Sequence, residues 1–350
     1  MRFGLIGAGG IGKVRAQALS ATPGCELIAV YDVDETRARA LAPTAGAKVV
    51  KEYQQMLAMP EIDAVIVSTP PQFHEKIVIA ALELGKHALC EKPLANTLEA
   101  CRRMVETARR TGRTLSTGFN HRYFPAVQFV KQTLESGLIG ELDHVRAFAG
   151  HTGLDQFSAP WMYDKQVIGG GALMDNGIHI IDLTRYILGD VEEVYGFASA
   201  NVWKLGQSED NGCAILRGAN GRHATLQATW SEWKGYRFFI EAYGTKGMAR
   251  AYYAPMFSMA VFMDEMGGPR RRKLNFYPQL ILQEKLKGWQ TTTMQTFQKE
   301  FTDFLALSNG KPNEAKTIAD GFAGFRAVEI ANAVYQSTAE RRPVRLATPF

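Results

Sequence analysis

The run GGGALMDNGIHIID, Gly169 to Asp182, sets two carboxylates and a histidine close behind three glycines. If MDNGIHIID is helical, Asp175 and His179 stand at i and i+4 on one face, and Asp182 follows His179 at i+3. An imidazole, with an ordinary pKa of about 6.5, is suited to accept a hydroxyl proton near neutrality, and a nearby carboxylate can orient it and stabilise its charge. The surrounding Ile178, Ile180, Ile181, Leu183, Ile187 and Leu188 equally suit a buried helix whose histidine is only hydrogen-bonded structure. Spacing alone leaves both readings open. Another chemical group is Lys92 in LCEKPL, just past an apolar run: Pro93 disfavours an α conformation at Lys92, so its ammonium is held on an extended backbone and can be aimed. A solvated surface lysine is the competing reading there.

GLIGAGGIG, at the N-terminal end, carries Gly7, Gly9 and Gly12 in G-x-G-x-x-G register, directly after a strand and before a helix. Gly7 permits a tight turn, Gly9 lets the backbone approach a pyrophosphate, and Gly12 lets helix and strand pack closely; the helix N-terminus then offers its amides to phosphate. Asp32 closes the next strand, LIAVYD, twenty residues after Gly12, where a carboxylate can accept hydrogen bonds from ribose hydroxyls. It would repel a 2′-phosphate, which favours NAD over NADP, although Arg37 on the following helix could reach round to compensate.

Groups such as these need a scaffold, and the first third supplies strands and amphipathic helices in alternation, the order of a doubly wound parallel sheet. The strands are expected at Arg2–Ile6, Glu26–Tyr31, Lys48–Val50, Asp63–Ser68, His87–Cys90 and Thr114–Thr117. Near Asn120 the pattern changes. After a helix around Pro125–Ser136, strand-like runs at Asp143–Ala149, Val194–Trp203, Ala214–Leu216, His223–Trp230 and Arg237–Tyr243 follow with few helices between, which predicts an α+β domain with a large, mostly antiparallel open sheet. Helical spacing returns from Thr293 to Glu340. The expectation is an α/β Rossmann domain over 1–121 and a second domain over 122–350.

Composition narrows the partners. With 350 residues, 46% of them apolar and 21% charged, the chain sits near globular averages and is long enough for two domains. Lys and Arg exceed Asp and Glu by only 40 to 35, and the densest basic run, PRRRK from Pro269, reads as a solvated loop without aromatic interleaving, so no nucleic-acid partner is expected. Cys25, Cys90, Cys101 and Cys213 show no C-x-x-C and no zinc-site spacing, which implies no metal and a reduced, cytoplasmic setting. No run of about 18 apolar residues addresses the chain to a membrane.

With these pieces in place, the chain resembles the glucose–fructose oxidoreductase, inositol dehydrogenase and rhizopine-catabolism (Gfo/Idh/MocA) family almost end to end. The likeness is carried by GLIGAGGIG, VSTPPQFHEKIVIAALELGKHALCEKPL, GFNHRYFPAV, GGGALMDNGIHIIDL, IEAYGTKG and the closing ANAVYQSTAERRPVRL. The resemblance implies that Lys92, Asp175 and His179 form a catalytic trio for NAD-dependent oxidation of a secondary alcohol of a sugar, inositol or sugar derivative. In that reaction His179 takes the hydroxyl proton, Lys92 hydrogen-bonds the developing alkoxide and Asp175 holds the constellation together. It also implies a cis Lys92–Pro93 bond, and cofactor contacts from Gly10, Ile11, Ser68, Thr69, Pro70, His74, Glu91 and Lys92. Asn120 and Arg122 are placed near nicotinamide and substrate. Trp161 and Tyr163 suit an aromatic wall against a sugar ring, or simply core packing, and HTGLDQFSAPWMYD is the candidate specificity loop. The second domain is expected to bind substrate and to pair into a homodimer or homotetramer. An NAD-dependent glycoside hydrolase with transient oxidation, and a non-catalytic dinucleotide-dependent regulator, are the competing functions.

Overall fold

The apolar runs of the first third assemble, in a computed structural model that describes residues 1–153, 157 and 159–347, into a six-stranded parallel sheet of order β3-β2-β1-β4-β5-β6. The strands are β1 (Arg2–Ile6), β2 (Glu26–Tyr31), β3 (Lys48–Val49), β4 (Ala64–Val67), β5 (His87–Cys90) and β6 (Leu115–Thr117). This is the doubly wound order, whose reversal beside β1 opens a crevice at the carboxyl ends of the strands. Helices α1 (Gly10–Ser20), α2 (Glu35–Leu41), α3 (Tyr53–Leu57), α4 (His74–Glu83) and α5 (Leu98–Thr111) fill the connections. Local chemistry sets their ends. Asp34 accepts from the Thr36 amide to start α2, and α5 begins at a Thr97 cap and stops at Gly112, whose φ of 64° suits glycine.

The second sheet has nine strands in the order β14-β13-β12-β11-β7-β10-β9-β8-β15. They are β7 (Leu142–Gly150), β8 (Val191–Ser199), β9 (Asn211–Gly218), β10 (His223–Thr229), β11 (Arg237–Gly244), β12 (Gly247–Tyr253), β13 (Phe257–Phe262), β14 (Arg271–Phe276) and β15 (Val344–Arg345). All of these pairings are antiparallel except β7 with β10. Helices α6 (Pro125–Glu135), α7 (Lys165–Ile168) and α8 (Gly177–Leu188) belong with this sheet. Every residue of α8 except Arg185 is buried, and the helix packs across β7, β10 and β11.

Two readings of the sequence need correction. PRRRK is exposed as expected but only partly loop: Arg271, Arg272 and Lys273 lie in β14, the edge strand, where exposed cations discourage pairing with another chain. Strands β12 to β15 were not read from the sequence at all, because Gly-, Pro- and charge-interrupted segments mask the alternation.

The chain divides into two compact units, Met1–Tyr123 with Gln283–Phe325, and Phe124–Leu282 with Arg326–Phe350. The segment that returns to the first unit carries most of α9 to α11, namely the end of α9 (Pro278–Lys287), α10 (Gln290–Ser308) and the start of α11 (Gly321–Glu340). Apolar burial explains its place: Phe297, Phe301 and Phe304 of α10 are buried in one cluster with Phe3, Leu5, Ile66 and Leu89, and the rings of Phe301 and Phe304 each lie 6.0 Å from that of Phe3.

Candidate active site

In the first unit, the glycine turn leaves β1 at Gly7, whose φ of 101° and N–H to the Tyr31 carbonyl (2.8 Å) make the tight bend. A Cβ on Gly12 would lie 2.0 Å from the Gly7 carbonyl oxygen, so helix and turn touch through the absence of a side chain. Gly9 and Gly10 differ: a Cβ there meets nothing within 4 Å, and Ile11 beside them is exposed. Asp32 is tied to this turn, accepting the Ala8 amide at Oδ2 (2.7 Å) and the Asp34 amide at Oδ1 (2.9 Å). A carboxylate has roughly four acceptor positions, so capacity remains for ribose hydroxyls. Arg37 pairs with Asp34 at 3.2 Å on the exposed start of α2.

A dinucleotide fits these residues. The backbone at Gly9 and Gly10 is open on one side, at the N-terminus of α1, and two buried hydroxyls at the end of β4, Ser68 Oγ and Thr69 Oγ1, have no hydrogen-bond partner within the protein. Pro70 follows and starts the turn into α4. His74, wholly buried, spans two loops: Nε2 lies 2.7 Å from the Thr69 carbonyl oxygen and Nδ1 3.1 Å from that of Pro93, and burial lowers its pKa. It therefore braces the loop after β4 against the loop after β5.

The Lys92–Pro93 bond in that second loop is cis, as the resemblance implied. Glu91 is engaged by Arg15 of α1, which donates from Nε at 2.6 Å, and the Lys92 amide lies 3.3 Å from Glu91 Oε2. Arg15 is itself fully buried, stacked 3.5 Å over the Phe297 ring, and also paired with Glu300 of α10. One guanidinium thus serves two carboxylates, and burial pushes the Glu300 carboxyl up to about 7. His121, four residues past β6, is buried with the Lys92 ammonium acting on it, and the two effects lower its pKa to about 3, which keeps it neutral. Asn120 donates to Thr296 Oγ1 (3.0 Å) and Arg122 to the Lys316 carbonyl (2.9 Å), both within the first unit.

The second unit holds Asp175 and His179. Helix α8 starts only at Gly177, because the Gly177 amide bonds to the Ala172 carbonyl and the residues before it form turns; Asp175 therefore stands in the turn ahead of the helix, not on its face. Gly171 has to be glycine: its Cβ would lie 2.0 Å from the Glu209 carbonyl oxygen. His179 is a buried residue of α8, and Asp182, one turn on, acts electrostatically on Arg185 of the same helix. Asp175 Oδ2 accepts from Trp230 Nε1 (3.1 Å) and lies 3.0 Å from His151 Nε2. Burial and the Asp175 charge raise the pKa of the Tyr236 phenol. The Tyr163 ring packs 5.6 Å from Phe157, which packs 5.0 Å from Trp230, whereas Trp161 is exposed. Of the candidate specificity loop, Leu154, Asp155, Gln156 and Ser158 lie outside the described residues.

Sequence reasoning missed Arg15, Glu300, His121, His151 and Trp230. The last two flank the ends of β7 and β10, a pairing that no spacing in the sequence reveals. Among the described residues, no cluster of three or more His, Cys, Asp or Glu side chains is placed to hold a metal, and no helix is long and apolar enough to cross a membrane.

A glycine-turn Rossmann unit followed by a nine-stranded sheet is the architecture of a dinucleotide-binding protein with a second domain. Residues 1–119 match the model of the oxidoreductase family with the NAD-binding Rossmann fold, and residues 127–250 match the Gfo/Idh/MocA C-terminal domain. The chain is 31% identical to a myo-inositol 2-dehydrogenase of Thermotoga maritima over 99% of this chain and 98% of that protein. It is 37% identical to a D-glucoside 3-dehydrogenase of Escherichia coli over 54% of each. A levoglucosan dehydrogenase solved with NADH superposes with a TM-score of 0.87 over the full length of both chains at 23% identity, a likeness of fold. The chain belongs to the Gfo/Idh/MocA oxidoreductase family.

Proposed function

We propose that this chain is an NAD-dependent dehydrogenase that oxidises a secondary alcohol of a sugar, inositol or sugar derivative, with His179 as general base and Lys92 and Asp175 assisting. The observation that carries the reading is the open turn at Gly9 and Gly10, with Asp32 anchored beside it and the unpartnered hydroxyls of Ser68 and Thr69 at the end of β4. Near-full-length likeness to a myo-inositol 2-dehydrogenase and partial likeness to a glucoside 3-dehydrogenase support the substrate class.

When bound, NAD supplies the hydride acceptor. Gly9, Gly10 and Ile11 present α1 amides to its pyrophosphate, Asp32 accepts from the adenosine ribose, and Ser68, Thr69 and Pro70 line the bound nucleotide. Glu91, Lys92 and Asn120 complete the cofactor contacts, and His74 holds the Thr69 and Pro93 loops in register. His179 takes the substrate hydroxyl proton as negative charge grows on the oxygen, and Lys92 donates a hydrogen bond to that oxygen. Asp175 keeps the imidazole oriented and stabilises its positive charge. Arg122 binds substrate hydroxyls, and Trp161 and Tyr163 offer aromatic surface to the ring. NAD is preferred to NADP, because Asp32 faces the ribose and the Arg37 charge is directed at Asp34. The four cysteines are free thiols, in keeping with a cytoplasmic protein.

The test is an absorbance assay with purified protein, NAD and a panel of inositols, aldoses and glycosides. Net NAD reduction supports the dehydrogenase. Release of a glycone without net reduction would point to the NAD-dependent glycoside hydrolase, and cofactor binding without turnover across the panel to a regulator.

A further inference from the structure

His151 reaches Asp175 through the parallel pairing of β7 with β10. Gly150 is opposite Thr229, and the His151 amide donates to the Thr229 carbonyl (3.1 Å), which carries the pairing one residue further and sets His151 beside Trp230. Strand parity then points both side chains to the same side of the sheet, where both meet one oxygen, Asp175 Oδ2. The Gly153 amide lies 3.1 Å from His151 Nδ1, and an amide only donates, so Nδ1 is the unprotonated nitrogen and the ring proton resides on Nε2, directed at Asp175. The loop that supplies this amide is pinned. Gly153 has a φ of 72°, its Cβ would collide with Trp203 Nε1 at 2.4 Å, and that indole N–H is spent on the Trp230 carbonyl at 2.8 Å.

We propose that His151, as a neutral imidazole locked in its Nε2–H tautomer by the Gly153 amide, is a positioning residue for the Asp175 carboxylate. Two rigid donors on one oxygen fix the rotation of that carboxylate about its Cβ–Cγ bond, and with it the direction of Oδ1. The backbone of the turn is held by the Asp175 amide donating to the Gly171 carbonyl (3.0 Å), and the two donors on Oδ2 act on the side chain that this backbone carries. His151 thus acts through Asp175 and takes no proton from substrate. The inference rests on the reading of Asp175 as a catalytic group.

Two replacements separate the two hydrogen bonds of the ring. His151→Asn keeps an acceptor near the Nδ1 position for the Gly153 amide and removes the donor to Asp175. His151→Gln keeps a donor near the Nε2 position and removes the acceptor. With myo-inositol and NAD as the probe, His151→Asn is expected to lower kcat by about 10- to 100-fold with KM little changed, as outer-shell supports do when removed, and His151→Gln to recover most of that loss. Equal loss in both variants, or wild-type kcat in His151→Asn while Asp175→Asn is inactive, overturns the positioning role and leaves the reading of Asp175 intact. Wild-type kcat in Asp175→Asn overturns both. Ring ¹⁵N spectra of the wild-type protein, assigned by the His151→Gln variant, give a readout independent of turnover and of how well the variants fold. A protonated Nε2 with a bare Nδ1 is expected, and the reverse tautomer or a doubly protonated ring at neutral pH overturns the proposal.

Discussion

Asp32 shows how much a single carboxylate can carry. Both of its oxygens already accept backbone amides, one from the glycine turn and one from the start of α2, so its position is set before any ribose arrives. On the proposed ribose contact, replacing it with Ala would remove that acceptor and relieve repulsion of a 2′-phosphate. The KM for NAD is expected to rise by about tenfold or more, equivalent to roughly 1.5 to 3 kcal/mol for a hydrogen bond to a charged group, while NADP becomes relatively better used. An unchanged ratio of kcat/KM for the two cofactors would contradict the assignment. At this scale the sequence was readable where chemistry depends on local spacing: Gly7, Gly9, Gly12 and Asp32 lie within one strand–helix–strand unit. It was unreadable where a group is completed from afar. Asp175 gains Trp230 and His151 through strand pairing, and Glu91 gains Arg15 from 76 residues away.

Between residue and molecule stand the elements that Arg15 ties together. Helix α1 presents the glycine turn, the loop after β5 presents Lys92, and α10 contributes Glu300; all three meet at one buried guanidinium. Glu300 has a carboxyl raised to about 7, against about 4.3 in an unfolded chain. Between those values the folded protein binds more protons than the unfolded one, so this group's contribution to stability is fully present below the lower value and is lost as pH rises through about 7. Denaturant titrations from pH 5 to 7.5 should therefore show a decline in unfolding free energy that Glu300→Gln flattens; a wild-type slope in the variant would refute the account. The strands were legible to within a residue through β6, because fully buried parallel strands read as short apolar runs, whereas the five-residue helix α3 is too short to show a helical period. The edge strand β14 was not, since the charges that keep an edge soluble imitate a loop. The helix reading of MDNGIHIID failed at its start because the turn that precedes α8, closed by the Gly177 amide on the Ala172 carbonyl, leaves no mark in the periodicity.

At the scale of the whole molecule, the outer face of the second sheet gathers apolar side chains that a solitary chain would leave wet. Phe148, Tyr195, Phe197, Ile215 and Phe239 line one shallow depression there, with Phe197 and Ile215 each more than half exposed. An exposed apolar patch is the kind of surface through which chains associate, and it is the face on which the expected homodimer or homotetramer is to be tested. Charged replacements Phe197→Asp and Ile215→Asp should shift sedimentation toward monomer without unfolding the chain, whereas an unaltered sedimentation coefficient would remove this face from the assembly.

The central claim, that His179 takes the proton released as NAD is reduced, is tested most directly by comparing wild type with His179→Ala in steady-state NAD reduction, with the inositol, aldose or glycoside of the panel that wild type oxidises, alongside NADH affinity measured by fluorescence. General-base removal is expected to lower kcat by about 10²- to 10⁴-fold with NADH affinity unchanged. Wild-type kcat in the variant, with cofactor binding intact, would contradict the assignment of the base and the mechanism built on it.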